Sequence, residues 1–398
     1  MAVVRIVADA VGRRRRALLP RVVAVAVIAA ASALSAAPTT TSGAADRASS
    51  GDVRVPVPTS AGTGDASGVG GHWVRSPSYP VVPSSTAIAC TSTRRCFATG
   101  DNGASAADIV GTGDSGRAWT AWAVPAGTGG LNAMACPSAT HCFAVGYISP
   151  TQGTVVATVD RGTTWIAQSL PAGTADLYGI ACPSTTTCFA AGFDRQGFGT
   201  IVATTDSGAN WTTQPVPNTS FFPAAVACPS TTECFVVGTT GPYHGEIVAT
   251  TDAGVSWRRQ KIPPGILSFA GIACTSATNC FVPGTTASLT GIILTTTTGG
   301  KPWLSHATPS GSAFPTAVAC PSSSTCFVVG ETSSYQGDIL ATDDAGADWI
   351  DEPVPSGVGF LQGVACPSPT RCYAVGIVPS GVGGLVLVGP APITTGSS

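Results

Sequence analysis

The sequence predicts an all-β protein: a seven-bladed β-propeller of four-stranded blades, closed by an N-terminal strand, with one disulfide per blade. Three observations carry this expectation. Cysteine pairs recur every 46 residues without a slip. The first members are Cys90, Cys136, Cys182, Cys228, Cys274, Cys320 and Cys366, and the second members are Cys96, Cys142, Cys188, Cys234, Cys280, Cys326 and Cys372. A tryptophan keeps the same period at Trp73, Trp119, Trp165, Trp211, Trp257, Trp303 and Trp349. The composition, with 10% charged residues, 48 Gly and 31 Pro, favours short strands and turns over helices. A fixed period of this length means one supersecondary unit repeated.

Each unit reads as four β-runs separated by turns. In one copy the first run, strand A, is Leu177 to Cys182 and the second, strand B, starts at Cys188. The third, strand C, is Thr200 to Thr204, and the fourth, strand D, starts at Trp211. Strand A keeps small residues at its centre (Ala87, Ala133, Gly179, Ala225, Gly271, Ala317, Gly363), which suits an innermost strand crowded toward an axis. Strand B carries an aromatic residue and then a glycine, from Phe97 and Gly100 to Tyr373 and Gly376. The last unit has Thr395 where the others have Trp, and Trp73 precedes the first cysteine pair with no unit of its own. Trp73-Val74-Arg75 therefore supplies the outer strand of the last blade, which joins the chain ends and leaves no open edge. The propeller spans residues 72–390.

Each Cys-x5-Cys pair flanks the turn between strands A and B, where cross-strand Cα atoms lie ~4.5–5.5 Å apart, within reach of a disulfide. Seven disulfides are expected, each joining the two members of one pair. The four histidines share no repeat position, so no metal set and no cofactor is expected. Residues 1–37 read as a signal peptide, with Arg13 to Arg16 and Arg21 before the apolar stretch Val22 to Ala33. Residues 38–71, rich in Ala, Ser, Thr and Gly, read as a flexible linker, and residues 391–398 as a C-terminal tail. The expected location is secreted or extracytoplasmic. Removing residues 1–35 leaves 13 basic and 20 acidic residues, net −7. That charge excludes nucleic acid and anionic membrane surfaces as expected partners and leaves a carbohydrate or protein ligand for a monomer, with no membrane contact after signal cleavage.

Between strands C and D stands Thr-x-Asp-x-Gly-x-x-Trp. Its aspartates are Asp114, Asp160, Asp206, Asp252 and Asp344, and Thr298 replaces the acid in the fifth unit. An Asp in a tight turn accepts backbone N–H bonds, Gly takes the positive φ, and the Trp anchors the turn by burial. This motif resembles the Asp-box (BNR) repeat of sialidase-like propellers. The resemblance implies that these aspartates are structural and lie away from any active site.

The A–B and C–D turns are expected on one face and the B–C and D–A loops on the other. The second face varies between units, so ligand-binding candidates are drawn from it: Asp176 and Tyr178 with Phe221, Phe222, Phe269, Phe314 and Phe360 in D–A loops, and Arg195, Tyr243, His244 and Tyr335 in B–C loops. Asp101 and Glu331 occupy equivalent positions after strand B and are the catalytic candidates if the protein is a glycosidase. Asp108, Glu246 and Asp338 stand at the start of strand C. A sialidase in the strict sense is disfavoured: Arg94, Arg95 and Arg371 fall in A–B turns, Arg117 and Arg161 in C–D turns, and Arg75, Arg258 and Arg259 on outer strands. Only Arg195 reaches the variable face. The uniform repeat also resembles non-catalytic Asp-box propellers such as photosystem assembly factors and sorting-receptor ectodomains. The reading is a binding or scaffold module, with a glycoside hydrolase of sialidase-like fold as the alternative.

Overall fold

The computed structural model describes residues 72–79, 84–101, 107–217, 220–241, 243–309, 311–381 and 383–389. The expected signal peptide, linker and tail, and Thr395, lie outside these residues, as does the Asp101 side chain. Seven antiparallel sheets form seven blades, in the order A-B-C-D from one edge of each sheet to the other. In blade 3 the strands are Thr174–Ala181, Cys188–Asp194, Gly199–Thr204 and Thr212–Gln214. Blade 7 takes its outer strand from the N-terminus as expected: Val74–Arg75 pairs with Gly384–Gly389 in the register Val74↔Val388 and Arg75↔Leu387.

The two repeated aromatics explain why the blades stack into a ring. Every strand-D Trp is buried. Four of the pairs that such a Trp makes with the strand-B Phe of the preceding blade are edge-on, with ring centroids 6.0 Å apart for Phe97–Trp165, 6.2 Å for Phe189–Trp257, 6.1 Å for Phe235–Trp303 and 6.4 Å for Phe281–Trp349. Such edge-to-face pairs add to the burial that dominates the energetics. The core is accordingly a set of layers between neighbouring blades rather than one central mass.

Strand A departs from a regular ladder in one way the repeat pattern concealed. It carries a register shift next to its small central residue, as between Ser85 and Ala87, Leu131 and Ala133, Leu177 and Gly179, and Leu361 and Gly363. In blade 5 the irregularity splits strand A into Ile266–Phe269 and Ala273–Cys274. The extra residue pushes backbone toward strand B and accounts for the strand-B glycine. A Cβ on Gly192 would meet the Asp176 carbonyl oxygen at 2.0 Å, and one on Gly146 the Gly130 carbonyl at 2.0 Å.

All seven expected disulfides form. Cys90 is bonded to Cys96, Cys136 to Cys142, Cys182 to Cys188 and Cys228 to Cys234. Cys274 is bonded to Cys280, Cys320 to Cys326 and Cys366 to Cys372. The described residues include no free cysteine. The second members open or lie within strand B and are buried: Cys96, Cys142, Cys188, Cys234, Cys280, Cys326 and Cys372. The Cα separations of 3.9–4.1 Å correct the expected ~4.5–5.5 Å, which is the spacing of unlinked cross-strand neighbours. The bonded residues stand directly opposite each other in the ladder, as Cys90 with Cys96 and Cys274 with Cys280. Each disulfide closes a short loop, a constraint of about 2 kcal/mol on the chain-entropy account. Seven such bridges fit an extracellular or otherwise oxidising environment.

Candidate functional site

The two faces of the ring are assigned by hydrogen bonds. C–D turns bond to the A–B turn of the same blade: Ser207 N donates to Thr186 O at 2.9 Å, and Ala253 N to Thr232 O at 3.0 Å. B–C turns bond to the preceding D–A loop: Arg195 N donates to Gly173 O at 2.9 Å, Ala287 N to Gly265 O at 3.0 Å, and Ser333 N to Gly311 O at 2.9 Å. The expected division of loops between faces is what the structure has.

The turn face is chemically closed. In blade 3, Thr204 Oγ1 donates to Asp206 Oδ1 at 2.8 Å and accepts from Gly208 N at 2.9 Å. The same carboxylate accepts from Asn210 N at 2.9 Å and from Asn210 Nδ2 at 2.7 Å. Blades 1, 2, 4 and 6 repeat the pattern at Asp114, Asp160, Asp252 and Asp344. These bonds hold the carboxyls below the ordinary range, with Asp160 and Asp252 brought to about 2. The residue before the turn glycine also takes a positive φ, at Ser115, Arg161, Ser207, Ala253 and Ala345. The motif's spacing gave no sign of that second strained position. A cavity of about 300 Å³ opens here between blades 3 and 4, lined by Phe189, Asp206, Asn210 and Gln214. Its acid is already committed to the turn.

The other face is different. Asp176 and Tyr178 lie inside strand A of blade 3, not in a D–A loop as the sequence suggested. Phe221, Phe222, Phe269 and Phe314 are likewise strand-A residues, and Phe360 immediately precedes strand A of blade 7. The strand begins earlier than its alternation indicated because the bulge breaks the pattern without ending the ladder. Phe221 and Phe269 are buried between blades, whereas Asp176, Tyr178, Phe222, Phe314 and Phe360 are half-buried.

Three aromatic rings from two neighbouring blades meet here. Tyr178 lies 5.4 Å from Phe193, edge-on, and Phe193 lies 5.5 Å from Phe222. Beside them Asn132 of blade 2 donates through Nδ2 to Asp176 Oδ1 and to Leu177 O, both at 2.9 Å. Asn132 and Phe193 were not among the sequence candidates. The signal for Asn132 was its position: the strand-A residue before the small centre is Thr86, Asn132, Tyr178, Ala224, Ala270, Thr316 and Gln362, varied in an otherwise uniform strand. Thr86 and Thr316 use that position as Asn132 does, donating at 2.7 Å to Leu131 O and Leu361 O of the next blade.

The remaining candidates are dispersed around the rim. Arg195 is exposed, and its Nε donates to Thr151 O of the neighbouring blade at 2.9 Å. Tyr243 and Tyr335 are exposed at B–C turn tips with φ of 75° and 62°, where blade 3 has Gly197. His244 opens strand C of blade 4. Glu331 stands near the end of strand B of blade 6, is 3% exposed, and has its carboxyl pushed up by burial to about 7. Asp101 pairs through its backbone with Ser84 and Ala107 in blade 1. Glu246 is buried and pairs with Arg259 at 2.5 Å.

No protein-family profile matches the sequence, and no curated protein matches it. Solved structures share the fold at low identity. "YCF48 bound to D1 peptide" superposes with a TM-score of 0.59 at 14% identity, covering 81% of this chain and 97% of that one. The BP39L lectin from Burkholderia pseudomallei gives 0.58 at 15% identity, covering 80% and 98%. A GH74 xyloglucanase from Xanthomonas campestris gives 0.56 at 14% identity, covering 79% of this chain and 53% of that one. The neighbours thus include binding proteins and an enzyme, and identities this low show the fold alone.

Proposed function

We propose that this chain is a secreted, non-catalytic propeller that binds a carbohydrate or protein ligand at the mouth formed by the strand-A ends and the B–C and D–A loops. One contrast carries the reading. Five blades of the turn face repeat the same Asp-centred network, whereas the opposite mouth brings together Asp176, Tyr178, Phe193 and Phe222, a combination no other blade repeats. Half-buried Tyr178 and Phe222 on the buried Phe193, with a few convergent polar groups, are what a recognition site needs. The Thr-x-Asp-x-Gly turns are taken as Asp-boxes with a structural role, and residues 1–37 as the export signal of a monomeric, extracytoplasmic protein. Around the mouth, Arg195, Tyr243, His244 and Tyr335 extend the contact surface.

The test is a glycan and peptide array probed with the wild-type protein, Tyr178→Ala and Asp176→Asn. The reading expects specific binding that either substitution weakens. Binding indifferent to both would refute the placement. The second reading, a glycoside hydrolase, is favoured by one observation: Glu331, at about 7, is in the range of a general acid at neutral pH. Turnover of a polysaccharide, lost in Glu331→Gln or Asp101→Asn, would establish that reading instead.

A further inference from the structure

Glu331 is a buried acid to which blade 6 offers no counter-charge. It is 3% exposed and has no hydrogen-bond or ion-pair partner among the described residues. Glu352 is the other buried acid of this blade, with both carboxylate oxygens unpartnered among the described residues. The buried acid of blade 4, Glu246, has Arg259 at 2.5 Å. Blade 6 has no such option: from Pro302 to Thr370 the chain holds seven acids and no Lys or Arg. An ionised carboxylate held this far from water is strongly disfavoured without a counter-charge.

The surroundings follow from register and repeat. Glu331 is paired with Phe314 on strand A and Gly337 on strand C. It occupies the position of Phe193, whose ring meets Tyr178 and Phe222; three repeats on, those two positions are Thr316 and Phe360. Glu331 thus lies at the mouth, in the layer between blades 6 and 7, beside an aromatic residue and a threonine. Strands A of both blades, Ser312–Ala319 and Leu361–Ser368, bring no charged residue to it. Strand C brings Asp338, paired with Gly330 and so on the opposite face of the sheet, and the outer edge brings Asp351 and Glu352.

We propose that Glu331 anchors a subsite for an alkylammonium group, the chemistry shared by a lysine side chain and a glucosamine residue. The inference rests on the binding-module reading and names what its ligand carries. A divalent cation is the wrong occupant: calcium takes six to eight oxygens, and no group of three His, Cys, Asp or Glu among the described residues can hold a metal ion. An ammonium is a compact charge that one carboxylate satisfies, and its stem can lie against Phe360 and Phe314 with cation–π support. Because a lysine ammonium keeps its proton and selects ionised Glu331, lysine affinity strengthens as pH rises through about 7, whereas a glucosamine amine loses its own proton in the same range and gains less.

Calorimetric titration tests this with a lysine-bearing tripeptide and a chitosan oligomer, each against its N-acetylated counterpart. With the peptide at pH 8 and the chitosan at pH ~6.5, where each amine carries a proton, the wild-type protein is expected to bind at least one unacetylated probe about tenfold or more tighter than its acetylated form, the scale of one charge-assisted bond. The peptide and chitosan arms tell which source the site prefers. Glu331→Gln is expected to lose that tenfold while melting at the same temperature or higher, since it removes an unpaired buried charge. Glu331→Thr, which installs the residue of blades 4 and 5 (Thr239, Thr285), serves if the Gln variant misfolds. Equal binding of acetylated and free amines, absence of binding by both amines, or wild-type affinity in both variants overturns the subsite. If array ligands without an amine still bind and depend on Tyr178, the subsite fails while the binding module stands; polysaccharide turnover without retention removes both.

Discussion

Trp73 meets Phe327 edge-on, with ring centroids 5.9 Å apart and planes at 79°, although 254 positions separate them in the sequence. This contact is the same one that joins other neighbouring blades, made here between the first described strand of the chain and blade 6. It converts a row of seven units into a ring. Trp73 also covers Gly389, where a Cβ would lie 2.6 Å from the indole.

Replacing Trp73 by Ala should therefore open the ring at its seam. Losing a buried indole is expected to lower stability by about 3–5 kcal/mol. Urea denaturation of wild type and Trp73→Ala measures it. A change under about 1 kcal/mol would mean the N-terminal strand contributes little to closure.

Glu352 sits beside the same seam and gives a prediction of opposite sign. In blade 2 the equivalent residue, Gln168, accepts from Trp211 Nε1 at 3.0 Å and donates to Ser207 O at 3.1 Å. Among the described residues, both buried oxygens of Glu352 and the Trp73 indole N–H have no partner. Glu352→Gln should raise the melting temperature, corresponding to a stability gain of about 1–2 kcal/mol at neutral pH. A lower melting temperature would show that the carboxylate has a role this arrangement does not reveal.

Gly192→Ala tests the bulge. The added methyl would sit 2.0 Å from the Asp176 carbonyl oxygen, a backbone atom that cannot swing aside. Destabilisation of about 3 kcal/mol or more is expected, together with displacement of Asp176 and Tyr178 and weaker ligand binding. Gly173→Ala, where no atom stands within 4 Å but φ is +98°, should cost only about 1 kcal/mol.

The pH dependence of stability has two limbs. Asp160 and Asp252 are lowered to about 2, so their contribution is present above the unfolded carboxylate range and is lost as pH falls toward 2. Glu331 is raised from 4.5 to about 7, so the folded state keeps a proton that the unfolded chain releases. Stability therefore falls as pH rises from 4.5 through 7. Melting temperatures across the acid and neutral range should peak near pH ~4–5, and Glu331→Gln should flatten the upper limb only. An upper limb unchanged in that variant would contradict the assignment.

Much of the architecture was legible because it is written in period. The cysteines, the tryptophans and the unpaired Trp73 locate the A–B turns, strand D and the closure, and each is where the repeat predicts. The site was less legible because it depends on what breaks the repeat. A single bulged residue moved Asp176 and Tyr178 from a presumed loop onto the innermost strand, and strand periodicity carries no mark of an inserted residue. Asn132 escaped notice because its partners, Asp176 and Leu177, belong to the next blade. Glu331 could be singled out as an acid, but its lack of a partner is a property of packing between blades 6 and 7.

The central claim is that recognition occurs at the varied mouth and not on the repeated turn face. The most direct measurement is array binding by three proteins in parallel: wild type, the mouth variant carrying both Asp176→Asn and Phe222→Ser, and the turn-face variant Asp206→Asn. The account predicts that the mouth variant loses the wild-type ligand while the turn-face variant keeps it. Retention by the mouth variant with loss in Asp206→Asn would contradict it.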